Sequence, residues 1–287
     1  MKDNKFISDV LYADNESKSK ELTVNQNNSV QPVAFMRLGI FVPKPKKSNA
    51  PSPTLDASSE LTKLEIARAE GYDSVQIIGP RLDMDTDFKV WVGIIRAFSK
   101  YGLNSNRIRM KFSEFAKDCG FTSKRLDSVL RSEIHDSLIK IRSKTISFKR
   151  GKDTRGSYTT GLLKMGFFDA DTDVVELEAD ERLWDLYEAN HLVLLQQHAI
   201  KVLPRKEAAQ AIYTFIESLP NNPAPVGFNR LRERLSLISE IKEQNRVVKR
   251  AVEQLIDIGY LQATIKKEGQ ENFLLIHSRN PKLKPFG

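Results

Sequence analysis

Four side chains in the last third of the chain have the types and the spacing needed to recognise DNA bases. Asn245, Arg246, Lys249 and Arg250 recur at helical spacing, which places them along one side of a helix. Arginine can donate two parallel hydrogen bonds to guanine, and asparagine can form a matching pair with adenine. The spacing therefore predicts a base-reading surface.

The opposite side of this stretch is apolar, which indicates a helix packed on a core. Its apolar positions, which recur with the same period, are Val248, Ala251, Val252, Leu255 and Ile258. The pattern predicts a helix over 245–258 with one face buried and the other facing solvent or DNA. Basic amphipathic helices are also common on plain solvated surfaces, so the periodicity alone leaves both interpretations open.

The neighbouring elements favour the interpretation that this helix binds DNA. A shorter amphipathic helix is predicted over 228–237, and its Arg230 is placed to meet the phosphate backbone. A hairpin is predicted over 260–277, with Lys266 and Lys267 next to its turn. This order of elements is typical of a helix-turn-helix with a wing, although enzymes and scaffolds also use it.

The same order of elements is predicted once before. A short helix ends at Gly120, a longer one capped by Thr122 or Ser123 runs to about Ile141, and a hairpin with a basic loop follows. Candidate DNA-binding residues on the longer helix are Ser123, Lys124, Arg125, Ser128 and Arg131. Those in and beside the loop, which we expect to meet phosphates, are Lys149, Arg150, Lys152 and Arg155. The repeat predicts an α+β fold with two tandem winged-helix (helix-turn-helix plus β-hairpin wing) domains.

Composition divides the chain into three parts. Residues 1–55 are rich in polar residues and Pro and are expected to be flexible around an apolar island at 32–42, which docks on its own domain or on a partner. Residues 56–178 are predicted to form the first winged-helix domain and 179–287 the second. Three helices are expected early in the second domain: one near 182–187, one over 191–202 and a longer one opened by Pro204.

The charge is concentrated in one part of the chain. The 287 residues have a formal net charge of +8, and counting Lys and Arg against Asp and Glu gives +7 for 140–164 but −8 for 165–189. A basic segment of this density is typical of a surface that binds a polyanion. Nucleic acid is therefore the predicted partner.

Motifs for other chemistry are missing from the sequence. No G-x-x-x-x-G-K-[ST] string is present to bind a nucleoside triphosphate, and no His-x-His pair accompanies a tyrosine nucleophile. The acidic residues at 83–87 are explained by helix capping, and Val174 replaces the glycine that a calcium loop needs in the acidic stretch 169–180. The lone Cys119 excludes an internal disulfide. We expect no catalytic residues, no cofactor, no metal, no membrane span, no secretion signal and a cytoplasmic location.

Six longer strings are distinctive enough to compare with known families: QPVAFMRLGIFVP at 31–43, ARAEGYD at 67–73, GPRLDMD at 79–85, WVGII at 91–95, AIYTFIESLP at 211–220 and QLIDIGYL at 254–261. In them the chain resembles the RepFIB-type RepA proteins, which are iteron-binding plasmid replication initiators. The resemblance implies tandem winged-helix domains, binding to direct repeats in double-stranded DNA at a plasmid origin, and repression of the protein's own promoter at an inverted repeat. It also implies contacts with host replication proteins and chaperones.

Two other functions fit the same residues. One is a winged-helix transcriptional repressor without origin activity, and the other is a scaffold that uses its wings to bind protein. Direct repeats of about two helical turns beside the gene favour an initiator, whereas a lone palindrome favours a repressor. DNA binding that does not depend on salt, or no DNA binding, favours the scaffold.

Binding to both direct and inverted repeats requires two assembly states, since an inverted repeat matches a two-fold dimer and a direct repeat matches monomers. The apolar stretch from Tyr158 to Phe168 predicts a dimer edge. Its candidate residues are Leu162, Leu163, Phe167 and Phe168. The alternative is that the island at 32–42 covers them.

Overall fold

The described part of the chain is a mixed α/β protein with one continuous hydrophobic core. In this computed structural model the described residues are 27–44, 55–56, 58, 73–101, 107–122, 126–151, 155–169, 171–180 and 192–283. Buried apolar side chains from the N-terminal island and from both halves of the chain belong to that core.

The chain enters through a strand, a helix and a second strand. These are β1 (Asn28–Pro32), α1 (Val33–Leu38) and β2 (Phe41–Val42). Gly39 ends α1 with a φ of 70°, a left-handed conformation that favours glycine. The island is therefore structured, and residues 28–30, which were predicted to be flexible, lie in β1.

The first half is built around one buried helix. Its elements are β3 (Leu55–Asp56), β4 (Ser74–Ile78), β5 (Leu82–Asp83), α2 (Asp87–Tyr101), β6 (Arg107–Lys111), α3 (Phe112–Asp118), α4 (Ser128–Arg142), β7 (Thr145–Arg150), β8 (Gly156–Gly161), β9 (Met165–Asp169) and β10 (Val174–Glu178). One side of α2 is apolar and buried, and its residues are Phe88, Trp91, Val92, Ile95 and Phe98. Most strands of this half form two sheets, one in the order β3-β4-β7-β8 and one in the order β6-β10-β9.

The second half ends in a long hairpin. Its elements are β11 (Leu192–Gln196), α5 (Gln197–Lys201), α6 (Glu207–Glu217), β12 (Val226–Gly227), α7 (Phe228–Arg234), α8 (Ile241–Asp257), β13 (Leu261–Glu268) and β14 (Glu271–Arg279). The last three strands form a sheet in the order β12-β14-β13. Gly269 makes the hairpin turn with a φ of 61°.

The two halves share one order of elements and one sheet topology. Strand, helix, helix and two strands follow one another as β6, α3, α4, β9 and β10, and again as β12, α7, α8, β13 and β14. In each three-stranded sheet the last strand lies between the other two. In each half the preceding helix, α2 or α6, packs on both helices of the set. The first half differs by the hairpin β7–β8, which is inserted between α4 and β9.

The prediction that the basic hairpin is the first wing is wrong. Strands β7 and β8 belong to the sheet that begins with β3, because β4 pairs with β7 from Ser74 opposite Lys149 to Ile78 opposite Thr145. The topological counterpart of the second hairpin is β9–β10, whose connection over 170–173 is acidic. The order of hairpins along the sequence does not show which earlier strand a hairpin pairs with. That pairing determines the sheet to which the hairpin belongs.

The predicted start of α4 is also wrong. The helix begins at Ser128, because the Asp127 carboxylate accepts a hydrogen bond from the Leu130 backbone N–H at 2.8 Å. Thr122 was an expected cap, yet it precedes the helix by several residues. Val129, in the first turn of α4, is exposed.

Residues 192–196 form a strand rather than part of the helix predicted over 191–202. Strand β1 pairs antiparallel with β11 from Asn28 opposite Gln196 to Pro32 opposite Leu192, and this partner supplies the backbone hydrogen bonds that a helix would otherwise make. Only Gln197–Lys201 is helical. The helix predicted from Pro204 begins at Glu207, and the helix predicted near 182–187 lies outside the described residues.

The N-terminal segment connects the two halves. While β1 pairs with β11 of the second half, β2 runs parallel to β5 of the first. The Trp91 indole N–H donates to Gln31 Oε1 at 2.9 Å. The Arg234 guanidinium donates to the backbone oxygens of Met36 at 2.7 Å and Phe41 at 2.8 Å. The island therefore docks on its own chain.

Two of the residues predicted at a dimer edge are buried in the protein's own core. Leu162 is 0% and Leu163 2% exposed, because they lie where the chain crosses from one sheet to the other, so this part of the prediction is wrong. Phe168 is half-buried with its ring 5.1 Å from that of Phe112. Phe167 is 47% exposed.

Candidate nucleic-acid interface

The outer face of α8 presents a row of basic side chains. Arg246, Lys249 and Arg250 are exposed, and the apolar side formed by Val248, Ala251, Val252 and Leu255 is buried. The helix begins at Ile241, four residues before its predicted start. The extra turn adds the exposed Lys242, which sequence reasoning missed although its spacing of four from Arg246 was a usable signal.

Arg246 is paired within the helix. Its Nε and Nη2 atoms each donate to the Glu243 carboxylate at 2.8 Å. These hydrogen bonds raise the pKa of the Arg246 guanidinium. A base contact through Nε and Nη2 would therefore require Arg246 to give up this carboxylate, which leaves only its other N–H donors for DNA. Arg250, one turn further along the same face, is the stronger candidate for direct base contact.

Asn245 is held by the preceding helix. Arg232 of α7 donates from Nη1 to Asn245 Oδ1 at 2.6 Å, and the same Nη1 lies 3.5 Å from Glu271 Oε1 at the start of β14. The Arg232 side chain is only 13% exposed. This largely buried side chain therefore holds Asn245 from the α7 side of α8.

Arg230, the predicted phosphate contact of α7, is half-buried. Its guanidinium lies over the Phe215 ring, 4.8 Å from the centroid, which is the geometry of a cation–π contact. A guanidinium that stacks through its face keeps its N–H donors at the edge of its plane. Arg230 therefore remains compatible with a phosphate contact beside α8.

The second hairpin carries basic side chains close to its turn. Lys266 and Lys267 are exposed on β13, shortly before Gly269. The Lys266 ammonium lies 2.9 Å from the Glu268 carboxylate, and this hydrogen bond raises its pKa. The hairpin lies in the same sheet as β12, which leads directly into α7. Its tip is thus a candidate contact beside the one on α8.

The helix α4 lacks the basic face of α8 in its described part. Ser128 is exposed, but Arg131 is half-buried with its guanidinium 5.5 Å from the Phe112 ring centroid. The exposed side of α4 also carries Val129 and Ile139, which are apolar. Three candidates before this helix lie outside the described residues: Ser123, Lys124 and Arg125.

The inserted hairpin β7–β8 forms a separate basic surface. Its candidate residues are Lys149, which is half-buried, the exposed Arg150 and Arg155, and Lys152, which lies outside the described residues. The Lys149 ammonium donates to Gln76 Oε1 at 3.3 Å. The Gly151 N–H donates to the Asp73 carboxylate at 2.9 Å, which ties the hairpin end to the strand β4.

The acidic residues at 83–87 are engaged in capping and ion pairing. Asp83 Oδ1 accepts from the backbone N–H of Thr86 at 2.7 Å, and the Lys140 ammonium lies 3.1 Å from Asp87. Burial raises the pKa of the Asp87 carboxyl. Within the described ranges no group of three or more His, Cys, Asp or Glu side chains could hold a metal ion. In the same part of the chain no helix is both long and apolar enough to cross a bilayer.

Comparison with known proteins gives close relatives. No protein-family model matches the chain. The replication protein RepA of Escherichia coli is 65% identical over 279 residues, which are 97% of this chain and 98% of that protein. The RepFIB replication protein A of Salmonella typhi is 51% identical over 270 residues, which are 92% of this chain and 82% of that protein.

Among solved structures, the chain is similar to domains 2 and 3 of RctB. The TM-score is 0.53 at 10% sequence identity, and the alignment covers 87% of this chain and 98% of that one. At this identity the likeness concerns the fold alone, and it agrees with the mixed α/β architecture described above.

Proposed function

Because the chain belongs to the RepFIB-type RepA family of replication proteins, we propose that it initiates plasmid replication by binding repeated double-stranded DNA sites at an origin, the iterons. The family membership rests on relatives at 65% and 51% identity and confirms the resemblance carried by the six sequence strings. The protein acts in the cytoplasm by binding rather than by catalysis. Host replication proteins and chaperones are its further partners, as the resemblance implies.

The basic outer face of α8 carries this proposal. A helix of this kind fits the major groove of B-DNA, where its arginine and asparagine side chains meet base edges. The preceding helix α7 then crosses the phosphate backbone with Arg230, and the hairpin β13–β14 brings Lys266 and Lys267 to the neighbouring phosphates. The proposed base-reading residues are Asn245, Arg246, Lys249 and Arg250. The exposed Lys242, one turn before Arg246, is proposed with them.

We infer two tandem winged-helix domains, over 56–178 and 179–287, from the repeated order of elements. The shared sheet order, β6-β10-β9 and β12-β14-β13, supports this inference. The segment 27–44 packs on both halves and shares their core. Because that segment ties the domains together, they meet DNA at a fixed spacing.

A nuclease footprint tests the proposed function. The full chain is incubated with the DNA that flanks its gene, with a scrambled duplex of the same length as control. Two linked domains should protect more than one helical turn, about 10 base pairs, at each direct repeat. Protection only at a lone palindrome would instead favour a repressor without origin activity. Absence of protection would favour a scaffold that binds protein.

The basic hairpin β7–β8 is proposed to contact phosphates without reading bases. Replacing Arg150 and Arg155 together with alanine should weaken binding to repeat and random DNA alike. The slope of log affinity against log salt should fall by about two units, one for each lost phosphate contact. Titrations at several salt concentrations measure the slope. Arg205→Ala, which removes an exposed arginine between α5 and α6, is the control and should leave it unchanged.

Autorepression is proposed to use a two-fold dimer on an inverted repeat, and Phe167 is its candidate contact. Phe167→Glu should weaken dimerisation about tenfold or more, because a charge would be buried in the interface without a partner. Analytical ultracentrifugation measures the dimer, and binding to single-repeat DNA should stay unchanged. Ile139→Glu, at another exposed apolar residue, is the control. A Phe167→Glu protein that remains dimeric would exclude this surface.

A further inference from the structure

The Asn245 amide has a fixed orientation. Arg232 Nη1 donates to Asn245 Oδ1 at 2.6 Å. Guanidinium carries only donors, so the amide group that faces it must be the oxygen. The amide is planar, with its oxygen and nitrogen on opposite branches of the same carbon, and its NH₂ group is therefore directed away from Arg232.

Arg232 is itself held in place by the hairpin. Its Nη1 lies 3.5 Å from Glu271 Oε1. The same carboxylate oxygen accepts a hydrogen bond from the Asn229 backbone N–H at 2.9 Å, near the start of α7. Since the Arg232 side chain is only 13% exposed, water competes weakly for these contacts. One guanidinium thus connects the first residue of β14, the helix α7 and the helix α8.

We propose that Arg232 is a positioning residue for base recognition: it holds the Asn245 amide so that the nitrogen of that amide faces the base edge as a donor. This inference rests on the proposed function, because it requires α8 to lie in the major groove. A donor at this position selects an acceptor on the base, which is N7 of a purine, O6 of guanine or O4 of thymine. Glu271, on the hairpin, keeps Arg232 aligned. Recognition of that base by Asn245 therefore depends on the position of the hairpin.

Without Arg232 the Asn245 amide could turn over and present either its donor or its acceptor to the DNA. Both orientations of an unrestrained amide are similar in shape and differ only in hydrogen bonding. A base pair read by such a side chain would be discriminated less well. Arg232 therefore contributes to specificity although it touches no base.

The test measures binding of the full chain to iteron duplexes that differ by single base-pair substitutions. Asn245→Ala identifies the base pair that Asn245 reads as the position where the preference is lost. Arg232→Met keeps the apolar stem and removes the donors. It should reduce the preference at that same base pair on the order of fivefold, which corresponds to the net contribution of one hydrogen bond. In the Asn245→Ala background it should cause no further loss of preference.

The control is Arg230→Met on the same helix, which should weaken all duplexes alike and leave every base preference intact. If Arg232→Met also weakens all duplexes alike, Arg232 is merely structural and the inference is overturned. Should Arg232→Met fail to fold, Glu271→Gln is measured instead, because it keeps an acceptor for Asn229 but loses the charge that aligns Arg232. A reduced preference at the Asn245 base pair supports the inference, and an unchanged one overturns it.

The outcomes also separate this inference from the proposed function. If the unmodified chain shows no preference at any base pair, the proposed base reading by α8 fails, and the role of Arg232 fails with it. If the chain has preferences that depend on Asn245 but not on Arg232 or Glu271, only the positioning role is wrong.

Discussion

Replacing Arg234 with methionine is expected to lower the free energy of unfolding by about 3 kcal/mol, since buried acceptors would lose a charged donor. Arg234 is 4% exposed. Its guanidinium donates to the backbone oxygens of Met36 at 2.7 Å and Phe41 at 2.8 Å, and to Thr214 Oγ1 at 3.2 Å. Methionine fills similar space but leaves these oxygens buried without that partner.

Chemical denaturation of the wild type and the variant measures this loss. Arg230→Met is the matched control on the same helix, because Arg230 is half-buried and its guanidinium lies over the Phe215 ring. This control variant should lower the free energy of unfolding by about 1 kcal/mol or less. In limited proteolysis, Arg234→Met should also be cut within 27–44 sooner than the wild type, since both backbone oxygens that lose their donor belong to that segment. A variant as stable as the wild type would mean that Arg234 does not secure the N-terminal segment.

Local periodicity was sufficient to predict the elements that contain the candidate site. The buried stripe of α8, from Val248 to Leu255, follows directly from the helical repeat, and so does the stripe of α2. The hairpin β13–β14 was also predictable, because a turn with Gly269 separates two strand-like runs. These features depend on residues close together in the sequence.

The errors in strand and sheet assignment concern partners that are distant in the sequence, whereas the errors in helix starts are local. Residues 192–196 form a strand because they pair with β1, whose residues lie 160 to 168 positions earlier in the chain. Because β7 pairs with β4, the basic hairpin likewise lies in a different sheet from the pair β9–β10. No local pattern encodes which strand pairs with which, since a strand's own side chains look the same in either sheet.

The helical spacing predicted that the candidate base-reading residues share one helix, but it did not predict their contacts with other side chains. They do lie along α8, and Lys242 was missed because the helix start was placed at Asn245. Arg232 looked like one of several surface arginines, and only the packing of α7 on α8 shows that it serves Asn245. Side-chain pairs between helices follow from tertiary geometry, which one sequence does not contain.

The second large effect is expected from Arg250→Ala, which should reduce sequence preference by about 1–3 kcal/mol. Arg250 is exposed on the outer face of α8, one turn after Arg246. Arg246 already has the Glu243 carboxylate as a partner, and Asn245 is held by Arg232. Arg250 is therefore the residue best placed to form a two-point contact with guanine. Loss of such a contact affects the cognate site and leaves binding to the phosphate backbone almost unchanged.

We propose that this chain binds iteron DNA by reading bases with α8. The most direct test compares the dissociation constants of the wild type and Arg250→Ala for a repeat duplex and for a random duplex of equal length, at one salt concentration. Arg205→Ala serves as the control for loss of a surface charge. Arg250→Ala should lose about tenfold or more in affinity for the repeat and about twofold for random DNA. Equal losses on both duplexes would contradict the proposal, because Arg250 would then contact only the phosphate backbone.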